Sequence, residues 1–223
     1  MTREGAVGWL RESLAAAYGP QDAWWPADSP FEVCVGAILV QNTAWGQVAR
    51  AIANLKAAGA LDLETLFALP PDAIEALVRP SGTFRQKARR LETFCRHVMV
   101  RWDGDLDAML AQDATPLRTE LLGIWGIGEE TADAITLFAA HRPAFIVDAY
   151  TTRIVRRVGF VGDDATRHTI RARFVDALPA DEAVLREVHA LLVNHAKIHC
   201  RTVPRCTGCP LATRCEYRKE HVA

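Results

Sequence analysis

Residues 121–132 read Leu-Leu-Gly-Ile-Trp-Gly-Ile-Gly-Glu-Glu-Thr-Ala, a glycine-rich turn between two segments with a helical spacing of apolar residues. Gly126 and Gly128 flank Ile127, so the backbone can turn tightly and no side chain covers its amide groups. Amides exposed at the start of the second helix can bind an anion such as a phosphate group. Glycine also serves helix–helix turns for steric reasons alone, so this stretch by itself predicts only a helical hairpin.

The rest of the chain has the same helical character. Apolar residues recur at helical spacing along most of its 223 positions, and no two segments alternate as paired strands would. Proline and glycine end several of these segments. The predicted helices are 5–18, 31–40, 45–58, 63–69, 72–78, 86–101, 116–122, 130–140, 148–158, 167–178 and 181–199. We therefore predict an all-α fold whose loops carry the functional residues.

Four cysteines lie close together near the end of the sequence, with the spacing C-x5-C-x2-C-x5-C: Cys200, Cys206, Cys209 and Cys215. A [4Fe–4S] cluster needs one cysteine thiolate for each of its irons, and four soft ligands in so short a segment can converge on one centre. The spacing therefore predicts an iron–sulfur cluster.

Two alternatives to a cluster remain open for this cysteine segment. A compact four-cysteine zinc knot would use the same donors, although a two-knuckle zinc ribbon needs a longer separation between its cysteine pairs. Two disulfides in so tight a loop would be strained, and the sequence shows no secretory context. The other two cysteines, Cys34 and Cys95, lie in apolar helical patterns and are expected in the core.

Composition narrows the class of protein. Half of the residues are apolar, which is ample for a core, and no apolar stretch approaches the ~20 residues that a bilayer requires. We therefore expect no membrane partner and, with no apolar signal core at the N-terminus, a cytosolic location. The net charge of −1 gives no support to a nucleic-acid partner, although basic residues do cluster locally, as at 85–90.

The glycine turn resembles the L-P-G-[IV]-G-x-[KE]-T-A hairpin of the helix-hairpin-helix DNA glycosylases. Residues 146–153, Ile-Val-Asp-Ala-Tyr-Thr-Thr-Arg, resemble the V-D-T-x-x-x-R segment of the same superfamily. With the cysteine segment following in the same order, the chain is similar, from Phe31 to Cys215, to the endonuclease III family of base-excision repair enzymes.

The resemblance implies a two-lobed all-α fold. One lobe, residues 28–139, would be a helical barrel that carries the hairpin. The other would unite residues 1–27 with 140–223 and carry the catalytic aspartate and the [4Fe–4S] cluster loop. Between them the family binds a nucleotide flipped out of double-stranded DNA that contains a damaged base. The same resemblance implies a monomer in the cytoplasm, associated with the nucleoid.

Asp148 is the candidate catalytic carboxylate. Breaking an N-glycosidic bond builds positive charge on the sugar, and a carboxylate beside C1′ stabilises that charge and can activate a water. Asp148 also suits the N-cap of the helix that follows it. Both roles are compatible, because a cap leaves one carboxylate oxygen available.

Glu130 marks the main departure from the family. Bifunctional members have a lysine two residues after the second glycine of the hairpin, and its amine forms a Schiff base with the sugar. A carboxylate cannot form an imine, so we predict a monofunctional glycosylase with weak or absent AP lyase activity. Glu130 would instead help to hold a cationic lesion, or only favour the positive end of its helix.

Four residues are candidates for the base pocket: Trp24, Trp25, Pro26 and Trp45. Tryptophans are common in cores, but two adjacent tryptophans in a loop beside proline are hard to bury together. Together with Glu130 they resemble the bacterial 3-methyladenine glycosylase branch, in which aromatic side chains sandwich an alkylated base. A cationic purine gains from cation–π contact and is already a good leaving group. That branch does not always carry the cluster, so the assignment within the family stays open.

The resemblance also suggests which residues contact DNA. Gln41 matches the family residue that fills the space left by the flipped base, and Thr83 lies near the position of an apolar wedge, for which threonine is poorly suited. The cysteine segment has five residues between its first two cysteines where the family has six, and two of these are arginines that can contact phosphates. The full predicted DNA-binding set is Gln41, Thr83, Lys87, Gly126, Ile127, Gly128, Arg201 and Arg205.

The sequence therefore leaves four functions open. The first is a monofunctional glycosylase for alkylated bases. The second is an endonuclease III-type glycosylase and AP lyase for oxidised pyrimidines. The third is a lesion-binding protein that has lost catalysis, and the fourth is an iron–sulfur redox module that does not bind DNA.

Overall fold

A computed structural model of the chain describes residues 3–21 and 24–221, with side chains from Gly5 onward. Within these ranges all regular structure is helical and no strand is formed, which confirms the predicted all-α class for this part of the chain. In chain order the α-helices are α1 Arg3–Tyr18, α2 Pro30–Leu39, α3 Trp45–Ala57, α4 Leu63–Ala68, α5 Pro71–Val78, α6 Phe84–Arg101, α7 Leu106–Leu110, α8 Ala114–Leu122, α9 Glu129–Ala134, α10 Ala149–Arg157, α11 Arg167–Ala177, α12 Glu182–Ile198 and α13 Glu216–His221. None of these helices is both long enough and apolar enough to span a bilayer.

The chain divides into two compact units. The hairpin unit comprises Trp25–Arg142, and the cysteine unit comprises Met1–Trp24 together with Pro143–Ala223. The observed boundaries between the units fall after Trp24 and after Arg142. The sequence analysis predicted them after residues 27 and 139. The glycine turn belongs to the hairpin unit, whereas Asp148 and the four cysteines belong to the cysteine unit.

The centre of the hairpin unit is α2. Its start is fixed by Ser29, whose hydroxyl accepts a hydrogen bond from the Glu32 amide at 3.2 Å, and by Pro30 in the first turn. Every residue from Phe31 to Leu39 is buried, because α2 packs against α3, α6 and the segment that follows α9. A helix that is apolar on all sides can only be stable in such a position.

Two irregular turns complete the hairpin unit. Arg79–Ser81 form a 3₁₀ turn before α6, and Ile135–Ala139 continue α9 as a π-helical segment. All five residues of the π-helical segment are buried.

The cysteine unit is organised around α12. Asp181 caps this helix by accepting hydrogen bonds from the amides of Ala183 and Val184. One side of α12 packs against α1 and α10, and its buried residues form much of the unit's core. The stacked rings of Phe145 and Phe174, with centroids 4.2 Å apart, bring α11 into the same core.

Candidate functional site

The glycine turn has the tight geometry that its sequence predicts. Gly126 has φ +88°, a left-handed value that favours glycine, and a β-carbon there would lie 2.4 Å from Arg90 Cγ. Gly128 is the N-cap residue of α9 and has no side chain to satisfy the first amides of that helix. Ile127 differs from its prediction as a DNA contact, because its side chain is buried and its amide donates to the Ile124 carbonyl at 3.1 Å.

A buried ion pair joins the two helices of the hairpin. Arg118 on α8 donates to Asp133 on α9 with Nε and Oδ1 2.6 Å apart, and Asp133 is almost fully buried. The two helices therefore hold the turn from both sides. Glu130 lies half-buried in the first turn of α9.

Gln41 fastens the turn to the rest of the hairpin unit. Its Nε2 donates to the Gly126 carbonyl at 3.1 Å and to the Thr131 hydroxyl at 2.9 Å. Its Oε1 accepts a hydrogen bond from Arg90 Nη1. The structure thus brings together two residues of the predicted DNA-binding set, Gln41 and Gly126, and adds Arg90, which sequence reasoning placed only in a basic patch.

Trp125 is exposed at the turn and was missed by the sequence analysis. Half of its surface is accessible, and the guanidinium of Arg89 lies over its ring at 4.4 Å from the centroid. A large aromatic residue placed between glycines in a tight turn was a signal that could have identified it. The pair presents an indole face and a positive charge beside the turn.

Lys87 is not placed to contact DNA. Its side chain has no exposed area, and its ammonium group donates to the carbonyl of Ser81 at the end of the 3₁₀ turn. Burial, together with the smaller effect of the positive charge of Arg90, lowers the pKa of Lys87 to about 8. In place of the predicted DNA contact, Lys87 makes a buried hydrogen bond just before α6.

Thr83 is exposed and has a strained backbone. Its φ of +40° is rare for a β-branched residue, and its side chain makes no capping hydrogen bond to α6. Asn42, next to Gln41, also has a positive φ, of +55°. Left-handed residues therefore stand at both of the loops predicted to enter DNA, a distribution that strained residues often show at functional sites.

The tryptophans of the predicted base pocket fall into two groups. In the hairpin unit, Trp25 lies edge-to-face with Trp45 at 5.2 Å between centroids, and Phe138 lies 5.1 Å from Trp25 on another side. The buried Nε1 of Trp25 has no hydrogen-bond partner among the described residues. Trp24 belongs to the cysteine unit, where the ammonium of Lys197 lies 5.2 Å from its ring centroid. Pro26 is exposed.

Asp148 caps α10, as its position in the sequence predicts. Its Oδ1 accepts a hydrogen bond from the Thr151 amide at 2.6 Å, and the side chain is nearly buried, at 8% exposed. This capping bond uses only one of the two carboxylate oxygens, Oδ1. His189 on α12 is close enough to feel this charge: burial lowers the pKa of His189, and the negative charge of Asp148 opposes that shift.

The four cysteines are free thiols gathered in one loop after α12. Arg157 ties the ends of this loop, because its Nη1 lies 3.5 Å from Cys200 Sγ and its carbonyl accepts from Cys215 Sγ at 3.3 Å. Burial raises the pKa of the Cys209 and Cys215 thiols, and the charge of the neighbouring thiols raises it further. Arg201 and Arg205 are exposed on the loop. The described residues contain no group of three or more His, Cys, Asp or Glu side chains arranged around a single metal ion.

Comparison with known proteins gives the family. Residues 35–180 match the HhH-GPD superfamily of base excision DNA repair proteins. A protein of Methanocaldococcus jannaschii, provisionally named as a DNA repair glycosylase, is 41% identical over 200 residues, which cover 89% of this chain and 90% of the relative.

Two solved structures share the fold. A trapped endonuclease III–DNA covalent intermediate matches with a TM-score of 0.87 at 22% identity, over 100% of both chains. The 3-methyladenine DNA glycosylase of Helicobacter pylori, bound to 1,N6-ethenoadenine, matches with a TM-score of 0.71 at 23% identity, over 88% of this chain and 98% of the other. The matched residues span more than half of the sequence, and the chain belongs to the HhH-GPD superfamily of base excision DNA repair proteins.

Proposed function

We propose that this protein is a monofunctional DNA glycosylase, which hydrolyses the N-glycosidic bond of a damaged base in double-stranded DNA and cleaves the strand weakly or not at all. The observation that carries this proposal is which residue types occupy the two catalytic positions of the family motifs. Asp148 stands where the family motif has its aspartate, and Glu130 stands where bifunctional members have a lysine.

Asp148 has the environment that hydrolysis requires. The Thr151 amide holds Oδ1, so the carboxylate has a fixed orientation, and Oδ2 can accept the proton of a water that attacks C1′ of the sugar. The C1′–N bond breaks, the base leaves with the bond electrons, and the developing positive charge on the sugar faces a carboxylate.

Two of the four lysines are in surroundings that do not suit a lyase step. Lys87 is buried against Ser81, and Lys56 forms ion pairs with Asp28 and Glu32 at 2.7 and 2.9 Å. Lys87 has no exposed area and so cannot reach C1′, whereas the two carboxylates raise the pKa of Lys56 and keep its amine protonated and poorly nucleophilic. No lysine lies near Glu130 in the sequence.

For the substrate we propose an alkylated purine. Trp25 and Trp45 can offer an aromatic surface to an electron-poor base, and the unpaired Nε1–H of Trp25 is a donor that a base could satisfy. Trp24 is a weaker candidate than the sequence suggested, because Lys197 already places a positive charge over its ring. The Helicobacter pylori neighbour was solved with 1,N6-ethenoadenine bound, which favours the same class of substrate.

The four cysteines are proposed to hold a [4Fe–4S] cluster. All four are free, the neighbouring thiols raise the pKa of Cys209 and Cys215, and the donor set consists only of soft thiols. In such a cluster each thiolate binds a different iron, so the sulfurs need not converge on one point. When bound, the cluster would supply order to the loop that carries Arg201 and Arg205.

The proposed DNA contacts combine the exposed residues of both units. In the hairpin unit they are the amide of Gly128, Thr83 and the Trp125–Arg89 pair, and in the cysteine unit they are Arg201 and Arg205. Gln41 would contact DNA only after leaving its bonds to the turn. We further propose that the protein acts as a monomer in the cytoplasm, associated with the nucleoid.

The test uses duplexes that carry 3-methyladenine, thymine glycol, uracil or an abasic site, with base release and strand nicking scored separately and borohydride used to trap any imine. Release of the alkylated base without a trapped adduct is expected. Nicking with a trapped adduct would place the protein among the glycosylase/AP lyases instead. Duplex binding without base release would favour a lesion-binding protein. If the protein shows no salt-dependent binding to duplex DNA at all, a redox module is favoured.

A further inference from the structure

A buried histidine connects Tyr18 to one of the four cysteines. His195 lies on α12, is only 1% exposed, and has a different polar partner at each ring nitrogen. Nδ1 lies 2.9 Å from the Tyr18 hydroxyl oxygen, and Nε2 lies 3.9 Å from Cys209 Sγ. All three residues belong to the cysteine unit.

The chemistry of the partners fixes the direction of these hydrogen bonds. A thiolate bound to iron has no proton and can only accept, so the nitrogen that faces it must carry the ring proton. A neutral imidazole has a single N–H, so only one of its two ring nitrogens can donate. With that proton on Nε2, Nδ1 can only accept, and the Tyr18 hydroxyl must donate. The other tautomer would point a nitrogen lone pair at the negative sulfur.

We infer that Tyr18 is a positioning residue for the iron–sulfur cluster: its hydroxyl fixes the tautomer in which His195 donates Nε2–H to the Cys209 sulfur. This inference rests on the cluster proposed above. A hydrogen bond to a ligand sulfur stabilises the reduced, more negative state of a cluster, and so raises its reduction potential. Tyr18 and His195 together would therefore raise the reduction potential of the cluster and hold the Cys209 ligand in place.

The first experiment compares two tyrosine variants of the anaerobically reconstituted protein. Tyr18→Phe removes the hydroxyl that faces His195. Tyr150→Phe is the matched control, because the Tyr150 ring is exposed and packs on Arg153 at 5.2 Å, away from His195. We expect Tyr18→Phe to lower the midpoint potential of the cluster and to speed the loss of iron in air several-fold. The Tyr150→Phe potential should equal that of the unmodified protein.

A second variant separates positioning from simple packing. His195→Gln keeps an amide N–H near Cys209, and an amide has no tautomer for Tyr18 to select. Adding Tyr18→Phe to this background should leave the potential unchanged, so the two substitutions should be strongly non-additive. Equal effects of Tyr18→Phe in both backgrounds would contradict the inference.

One readout needs no variant and tests the bond directly. Histidine labelled with ¹⁵N should show a hyperfine coupling to the paramagnetic form of the cluster, together with one exchangeable proton. If the reconstituted protein contains its full iron and sulfide but shows no such coupling, the role of His195 is overturned and the cluster stands. A reconstituted protein without iron and sulfide would instead reject the cluster, and the glycosylase assay above would remain a separate test.

Discussion

Arg90 fills the space beside Gly126, so that a β-carbon at Gly126 would lie 2.4 Å from Arg90 Cγ. Gly126 also has φ +88°, which strains any other residue. We expect Gly126→Ala to lower the free energy of unfolding by about 2 kcal/mol, because the backbone is strained and Arg90 must move. Duplex affinity should fall with it. Chemical denaturation and a binding titration measure the two effects.

Gly128→Ala is the matched control for Gly126→Ala. Gly128 has an ordinary φ of −93°, and a β-carbon there would meet nothing within 4 Å. Its effect on the free energy of unfolding should not exceed about 1 kcal/mol, the cost of replacing a glycine N-cap by alanine. Equal destabilisation by both substitutions would show that Arg90 does not constrain the turn.

Asp148→Asn should separate catalysis from capping. Asparagine caps helices as well as aspartate does, so the melting temperature should change little. Loss of the carboxylate should slow single-turnover base release by at least about 100-fold. Asp181→Asn changes the cap of α12 in the same way and should retain full activity. A slow Asp181→Asn variant would indicate that capping, and not the charge of Asp148, limits the rate.

Glu130→Lys should introduce the missing amine. We expect this variant to form a borohydride-trapped adduct with abasic DNA, because the new side chain stands where bifunctional relatives of the hairpin motif place theirs. Glu129→Lys is the control: it lies about 100° further round the helix, and Glu129 is placed toward Arg118 at 3.9 Å. Trapping by Glu129→Lys alone would show that the hairpin motif has been aligned one residue out of register.

Lys87 should make stability depend on pH. Its pKa is about 8 in the folded chain and near 10.5 when unfolded, so between these values the unfolded state binds more protons and stability rises with pH. Lys87→Met removes this dependence while keeping the length of the side chain. We subtract the unfolding free energy of the variant from that of the unmodified protein. This difference should rise by up to about 3 kcal/mol between pH 8 and pH 10.5. Parallel pH profiles would contradict the burial of a charged Lys87.

Trp125 and Arg89 should contribute to DNA binding in different ways. Trp125→Ala should weaken duplex binding about tenfold at every salt concentration, because ring contacts release no counterions. Arg89→Ala should reduce the slope of log affinity against log salt by about 1. Arg101→Ala, at the exposed far end of α6, is the control and should leave the slope unchanged. If all three variants behave alike, the Trp125–Arg89 pair is not a contact surface.

The helices were largely predictable because their signals are local. Caps such as Ser29, Asp148 and Asp181 and the spacing of apolar residues define ends and faces within a few residues of sequence. Two short helices were missed. α7 has only five residues, too few to show a period, and α13 buries no residue, so it has no apolar face to detect.

The site was less predictable because burial is a tertiary property. Lys87 was taken as a surface cation, although its spacing to Leu91, Phe94 and Val98 places it on the buried face of α6. The role of Gln41 in holding the turn depends on residues 85 and 90 positions further along the chain. Nothing in the local sequence specifies such a contact.

The π-helical segment Ile135–Ala139 sets a strict length for this part of the chain. The Ala140 amide donates to the carbonyl of Ile135, five residues earlier, so the helix holds one residue more than a regular turn would. Deleting one of these apolar residues would leave composition, caps and hydrophobicity almost unchanged. It would nevertheless rotate the following residues by about 100° relative to those before the deletion. Phe138 and its contact with Trp25 therefore depend on the number of residues here as much as on their identity.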